Sequence, residues 1–99
     1  MEPFFSILTP TYNREEFLPR VIQSLESQDF KNFEWIVAND GSIDETHTLI
    51  TSLAPNLSFP VKYIDSSLRV GKSKMDNLLL DNVSGKFILW CDSDDYLKK

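Results

Sequence analysis

This sequence predicts an α/β fold built on a parallel sheet, and three observations predict it. Four short apolar runs have strand length: residues 4–9 (FFSILT), 33–39 (FEWIVAN), 61–64 (VKYI) and 87–91 (FILWC). Segments with apolar residues at helical spacing separate them. The last run is continuously apolar and then meets Asp92-Ser93-Asp94-Asp95. Such a run reads as a strand buried on both faces in the middle of a parallel sheet. The order is βαβαβ-loop-αβ, which implies right-handed crossovers in a doubly wound, Rossmann-like, nucleotide-binding type of layer. Residues 1–99 make one domain.

Each element has its own signal. Pro10 cannot donate to a ladder and should end the first strand. Asn13 and Glu16 have capping-box spacing, and Phe17, Leu18, Val21, Ile22 and Leu25 form a stripe. Pro19 calls for a kink there or a helix that starts near it. After the second strand, Asp40-Gly41-Ser42 is a turn, and Ser42 and Glu45 repeat the capping-box spacing. Thr46, Leu49, Ile50 and Leu53 give that helix its inner face, and Pro55 stops it. The third helix spans 71–83, with Met75, Leu78, Leu79 and Val83 inward and Ser84-Gly85 as its stop. Trp35 and Trp90 read as core, and His47 as solvent-exposed.

Composition narrows the partners. The chain is 41% hydrophobic and 25% charged, as a globular protein is, and its net charge of −5 disfavours nucleic acid and anionic membranes. A single nucleotide stays open if a cation supplies positive charge. Cys91 is the only cysteine, so no disulfide forms within the chain, which fits a reducing, cytoplasmic setting. No signal-peptide pattern and no apolar run of membrane-spanning length is present in the sequence.

Strands of a parallel sheet share direction, so the segments after the first, second and fourth converge on one edge. They carry Thr9-Pro10-Thr11-Tyr12-Asn13, Asn39-Asp40-Gly41-Ser42 and Asp92-Ser93-Asp94-Asp95. An aromatic ring, a carboxylate acceptor and a carboxylate pair suit a nucleoside diphosphate with a hard divalent cation. Asp92 and Asp94, two apart, point the same way on extended backbone and repel unless neutralised. The same residues also fit a solvated acidic turn, a half-buried tyrosine and a helix cap. Lys72 could reach a phosphate. Arg69 reads better as a solvated charge, and Asn77 is either surface or turned towards the acidic end. Neither the dinucleotide glycine fingerprint nor a P-loop occurs, nor any C-x-x-C or H-E-x-x-H.

Four segments together carry a family likeness: SILTPTYNR, NDGSIDET, GKSKMDN and SGKFILWCDSDDYL. In this order and spacing the chain resembles the N-terminal, nucleotide-sugar-binding half of the family-two, inverting glycosyltransferases of GT-A fold. The resemblance implies that Pro10 and Tyr12, with Thr9 beside them, hold a base, usually uracil, and that Asp40 bonds the base or ribose. It implies that Asp92 and Asp94 form a D-x-D motif with Asp94 on Mn²⁺ or Mg²⁺, and that Lys72 and Asn77 lie on a helix abutting the donor. The implied partners are a UDP-sugar donor and a saccharide or lipid-linked acceptor. Asp76 stands where the family often has arginine, and Leu79 where it often has glycine. The family's general base lies beyond a position equivalent to Lys99, so the chain is expected to be a donor-binding piece of a longer enzyme, whose membrane association stays open. With the far edge of the fourth strand uncovered, it is expected to self-associate or to be marginally stable. A nucleotidyltransferase of related fold, or a nucleotide-binding module without catalysis, is the alternative.

Overall fold

The computed structural model describes residues 3–13, 16–42 and 44–91. Strands β1 (Phe5–Thr11), β2 (Phe33–Asp40), β3 (Val61–Ser66) and β4 (Phe87–Trp90) alternate with helices α1 (Leu18–Glu26), α2 (Thr46–Leu53) and α3 (Lys72–Asp81). The sheet is parallel throughout, in the order β3-β2-β1-β4. Among the described residues no helix is long and apolar enough to cross a membrane.

Period-two alternation divides the strands between two covered faces. Ile7, Phe33, Trp35 and Val37 pack with Leu18, Val21, Ile22 and Leu25 of α1 and Ile50 of α2. Leu8, Ile36 and Ala38 pack with Met75 and Leu79 of α3. Trp35 is fully buried, and its indole N–H donates to Thr9 Oγ1 at 2.8 Å, so the largest core side chain buries no unpaired donor. His47 is exposed, as expected.

The fourth strand is not an interior one. Among the described residues it pairs with β1 alone, and Phe87, Ile88, Leu89 and Trp90 remain 54%, 41%, 40% and 47% exposed. An apolar run signals what a strand can bury; which elements then cover it is a tertiary matter. Trp90 is therefore half-exposed rather than core, whereas Cys91 is buried. Phe17 and Leu78 likewise fall on open helix faces, at 40% and 38% exposed.

β1 also runs past Pro10 to Thr11. The backbone of residues 4 and 8 faces β4, since Phe4 accepts from Phe87 and Leu8 accepts from Cys91 at 2.9 Å. Pro10 faces that same side, beyond the last β1–β4 pair of Leu8 with Trp90, so its missing N–H costs no ladder bond.

Neither capping box forms. α1 begins after Phe17 with Pro19 in its first turn, and Asn13 adopts a left-handed φ of 50°. α2 begins after Glu45, and Asp44 rather than Ser42 accepts from the Thr46 N–H at 3.0 Å. α3 ends at Asp81, before the expected stop.

Gly85 instead serves a close approach to β1. A Cβ there would lie 2.7 Å from Phe5 C, Ser6 N and Ser6 Oγ. The same corner is held by Glu34, a carboxylate on the α3 face of β2, ahead of Ile36 and Ala38. Its Oε2 accepts from Ser6 Oγ at 2.6 Å and from the Ser84 N–H at 2.7 Å, and its Oε1 meets Lys62 Nζ at 2.9 Å. Gly85 N–H donates to Ser6 Oγ at 2.8 Å. Burial opposes the charge on Glu34, but the bonds from Ser6, Lys62 and Ser84 outweigh it and hold the carboxyl below its ordinary range.

Two outcomes are expected. Gly85→Ala presses a methyl against rigid backbone and should cost roughly 1–3 kcal/mol in a urea melt. Because the folded pKa of Glu34 is lowered, its stabilisation is complete above the unfolded value, near 4.5, and fades as pH falls through the folded one. Melting temperature should thus fall less steeply with acid in Glu34→Gln than in wild type. Equal acid limbs would exclude this role for Glu34.

Candidate functional site

The strand order has a switch point. β1 leads through α1 to β2, and β2 through α2 to β3, all in one direction across the sheet; β3 then returns over the opposite face through α3 to β4. The carboxyl ends of β1 and β4 therefore bound a crevice that no crossover closes, the usual ligand position in open α/β sheets. Tyr12 follows β1 there, and Cys91 follows β4 on the other side.

The sequence places its candidates in loops, but several lie on strand ends. Thr9 is fully buried within β1 and its hydroxyl receives the Trp35 bond, so that side chain serves the core. Pro10 and Tyr12 are partly exposed at the edge. Thr11 is buried, and its Oγ1 has no hydrogen-bond partner among the described residues.

Asp40 is the last residue of β2, and only 4% of it is exposed. Its Oδ1 accepts from the Val70 N–H at 2.6 Å and its Oδ2 from the Gly71 N–H at 3.0 Å. The carboxylate thus pins the loop that leads into α3. Gly41, at φ +64°, makes the approach possible, since a Cβ would stand 2.6 Å from Arg69 N and 2.9 Å from Leu68 C. Gly71, at φ +95°, then turns the chain into the helix.

Arg69, read from sequence as a solvated charge, is placed in the site by this loop. Its Cζ lies 3.7 Å from the centroid of the Tyr12 ring, and its Nε is 3.9 Å from Asp40 Oδ2. The missed signal was the joint spacing of Asp40-Gly41 and Gly71, which folds residues 68–71 back onto the first loop.

Lys72 Nζ bonds Asp76 Oδ2 at 2.9 Å and stands 5.8 Å from the Trp90 ring centroid. The other oxygen of Asp76 is buried with no partner among the described residues. Asn77 is on the exposed side of α3. A second network braces the edge: Asn13 N–H donates to Ser42 Oγ at 2.9 Å, Ser42 donates to Asn39 Oδ1, and Asn39 Nδ2 donates to Tyr63 Oη at 3.1 Å. His47 Nδ1 joins the same phenol at 2.7 Å. Burial first, then the nearby Asp65 carboxylate, push the Tyr63 hydroxyl above its ordinary range despite the Asn39 bond.

Asp92, Asp94 and Asp95 lie outside the described residues. Among the described ones no group of three or more His, Cys, Asp or Glu is placed to hold a metal ion.

Known proteins match this chain throughout. It is 34% identical over 95 residues to a Campylobacter jejuni GalNAc(5)-diNAcBac-PP-undecaprenol beta-1,3-glucosyltransferase, covering 96% of this chain and 31% of that protein. It is 35% identical over 97 residues to the poly(ribitol-phosphate) beta-N-acetylglucosaminyltransferase TarS of Staphylococcus aureus, covering 96% of this chain and 17% of TarS. The crystal structure of S. aureus TarS 1-349 in complex with UDP-GlcNAc superposes with a TM-score of 0.87 and 34% identity, over 100% of this chain and 28% of that one. In fold alone it also matches the Pyrobaculum calidifontis mannosyltransferase PcManGT, in complex with GDP-Man and Mn2+, at a TM-score of 0.85 and 21% identity, over 30% of that chain. The chain spans less than a third of each of these proteins. With the model of the glycosyl transferase family 2 matching residues 6–99, the chain belongs to that family, and its parallel sheet is the N-terminal part of the GT-A fold.

Proposed function

We propose that this chain is the donor- and metal-binding half of an inverting glycosyltransferase that takes a UDP-sugar and glycosylates a hydroxyl of a saccharide or lipid-linked acceptor. The whole-length likeness to a TarS structure that holds UDP-GlcNAc carries this reading. The relatives named for an undecaprenol-linked and a poly(ribitol-phosphate) substrate support the acceptor class.

The residues around the crevice fit the donor. Tyr12 offers a ring face to the base, beside Pro10 and the backbone of Thr9. Asp40 fixes the loop that borders it. Lys72, on the first turn of α3, can exchange Asp76 for a diphosphate oxygen, and Asn77 lies one turn further along the helix. The buried Oδ1 of Asp76 has no partner among the described residues, while its Oδ2 holds Lys72, whose Nζ stands 5.8 Å from the Trp90 ring; a carboxylate oxygen left without a donor suits a hard divalent cation. Asp94, with Asp92, would hold Mn²⁺ or Mg²⁺, which when bound neutralises the diphosphate. In the transfer, the acceptor oxygen attacks the anomeric carbon as the bond to the diphosphate oxygen breaks, inverting that carbon. The hydroxyl proton passes to a general base, which the family resemblance places after Lys99. A cytoplasmic location belongs to the same proposal, and so does self-association through the four exposed apolar residues of β4.

Calorimetry should show UDP binding that strengthens with Mn²⁺, and Asp94→Ala should abolish that metal dependence. A folded chain that binds no nucleoside diphosphate, with or without metal, would defeat the reading. The stretch 1–99 assayed by itself should transfer no sugar, since the family resemblance places the general base after position 99. In light scattering it should sediment or scatter as more than a monomer; a monodisperse monomer with a sharp melt would count against pairing through β4.

A further inference from the structure

Asn13 stands where the first loop leaves β1, in a left-handed conformation at φ 50°. A residue with a side chain keeps that conformation only where its surroundings hold it. One restraint is the bond from its N–H to Ser42 Oγ at 2.9 Å. The chain of bonds runs on from there. Ser42 donates to Asn39 Oδ1, and Asn39 Nδ2 donates to Tyr63 Oη at 3.1 Å. Tyr63 Oη lies 2.7 Å from His47 Nδ1 and 3.4 Å from Asp65 Oδ1. We infer that Tyr63, on the outermost strand, is a positioning residue for Tyr12 and Asn13: its hydroxyl anchors a one-way relay that fixes the loop on which the donor's base lies. This rests on the reading of Tyr12 as the base platform.

Each link of the relay has one sense. A backbone N–H only donates, so Ser42 Oγ accepts from Asn13, and the Ser42 hydrogen goes to the Asn39 carbonyl oxygen. Asn39 then has its amide nitrogen, which only donates, left for Tyr63. Tyr63 Oη accepts that bond and turns its own hydrogen outward, to His47 or Asp65. Asn39 is 1% exposed, so no solvent stands ready to replace the phenol. Without it the Asn39 N–H is orphaned, and reversing the amide would present N–H instead of oxygen to Ser42. Bonds in such a chain polarise one another, so a loss at one end weakens the bond at the other. The end of β2 thereby serves both sides of the site. Asp40 holds the loop before α3 on one face, and its neighbour Asn39 holds the loop after β1 from the opposite face.

Tyr63→Phe removes the hydroxyl and keeps the ring that packs on the core. In NMR spectra of the full chain the Asn13 amide proton should move upfield in this variant, while the amides of α1 and α3 keep their positions. Calorimetry with Mn²⁺ present should show UDP affinity lowered about two- to ten-fold, the range of one lost hydrogen bond. Ser42→Ala cuts the relay next to Asn13 and should cost at least as much. Adding Tyr63→Phe to Ser42→Ala should then cost nothing further, because the chain is already broken; a tyrosine with a merely structural role would give losses that add. An Asn13 amide that stays in place in Tyr63→Phe, or additive losses in the double variant, would overturn the relay and leave the donor reading standing. A folded wild type that binds no UDP would defeat the donor reading itself, and the positioning role would fall with it.

Discussion

The bond pair from Val70 and Gly71 to Asp40 is the interaction on which the rest of the site depends. It joins the end of β2 to a loop thirty residues away, across the boundary between the two halves of the sheet's connectivity. Without it the chain entering α3 would have no fixed starting point. The helix that covers Leu8, Ile36 and Ala38 would then lose its N-terminal anchor. A carboxylate buried this deeply needs donors, and two backbone N–H groups supply them, with the Arg69 guanidinium a longer contact at 3.9 Å. Fold and site are thus coupled through one residue: what orders the helix also brings Arg69 to Tyr12.

At the other end of the sheet Glu34 does comparable work. It gathers Ser6, Ser84 and Lys62 from β1, the turn before β4 and β3, so that three separate segments share one buried charge. Both carboxylates sit on the same face of β2, six residues apart, under α3. The two brackets make the return crossover, the connection that passes over both β2 and β1, a fixed element.

Much of this was legible in the residues. Strand and helix alternation, the order of elements and the convergence of loops at one edge follow from periodicity and from Gly, Pro and Asp positions. The core faces of α1 and α2 follow from 3.6-residue spacing. Local signals misled wherever tertiary contacts competed with them. Ser42 has capping-box spacing, yet its hydroxyl goes to Asn39, because the first and second loops meet there. Thr9 belongs to a motif at the site, yet its hydroxyl is claimed by Trp35, a partner 26 residues away that no local pattern reveals. Glu34 drew no reading from the sequence, because its partners Ser6, Lys62 and Ser84 come from three separate segments. Asp92 and Asp94 carry the metal reading on sequence and family grounds alone, since they lie outside the described residues. β4 shows the same limit from the opposite side: composition reports its capacity for burial, and the neighbours decide its use.

Pro10 gives the sheet a pre-cut seam. Between β1 and the chain leaving β4, a proline stands where another residue would present an N–H to the gap. Two parallel strands normally separate only by breaking bonds that something must then satisfy. Here the last pair is Leu8 with Trp90, and beyond it β1 has one fewer donor to leave orphaned. Past that pair β1 carries no N–H at Pro10 that a neighbouring strand would have to satisfy. The β4-facing edge of β1 therefore ends on an apolar, non-donating ring instead of on a strand waiting to be paired.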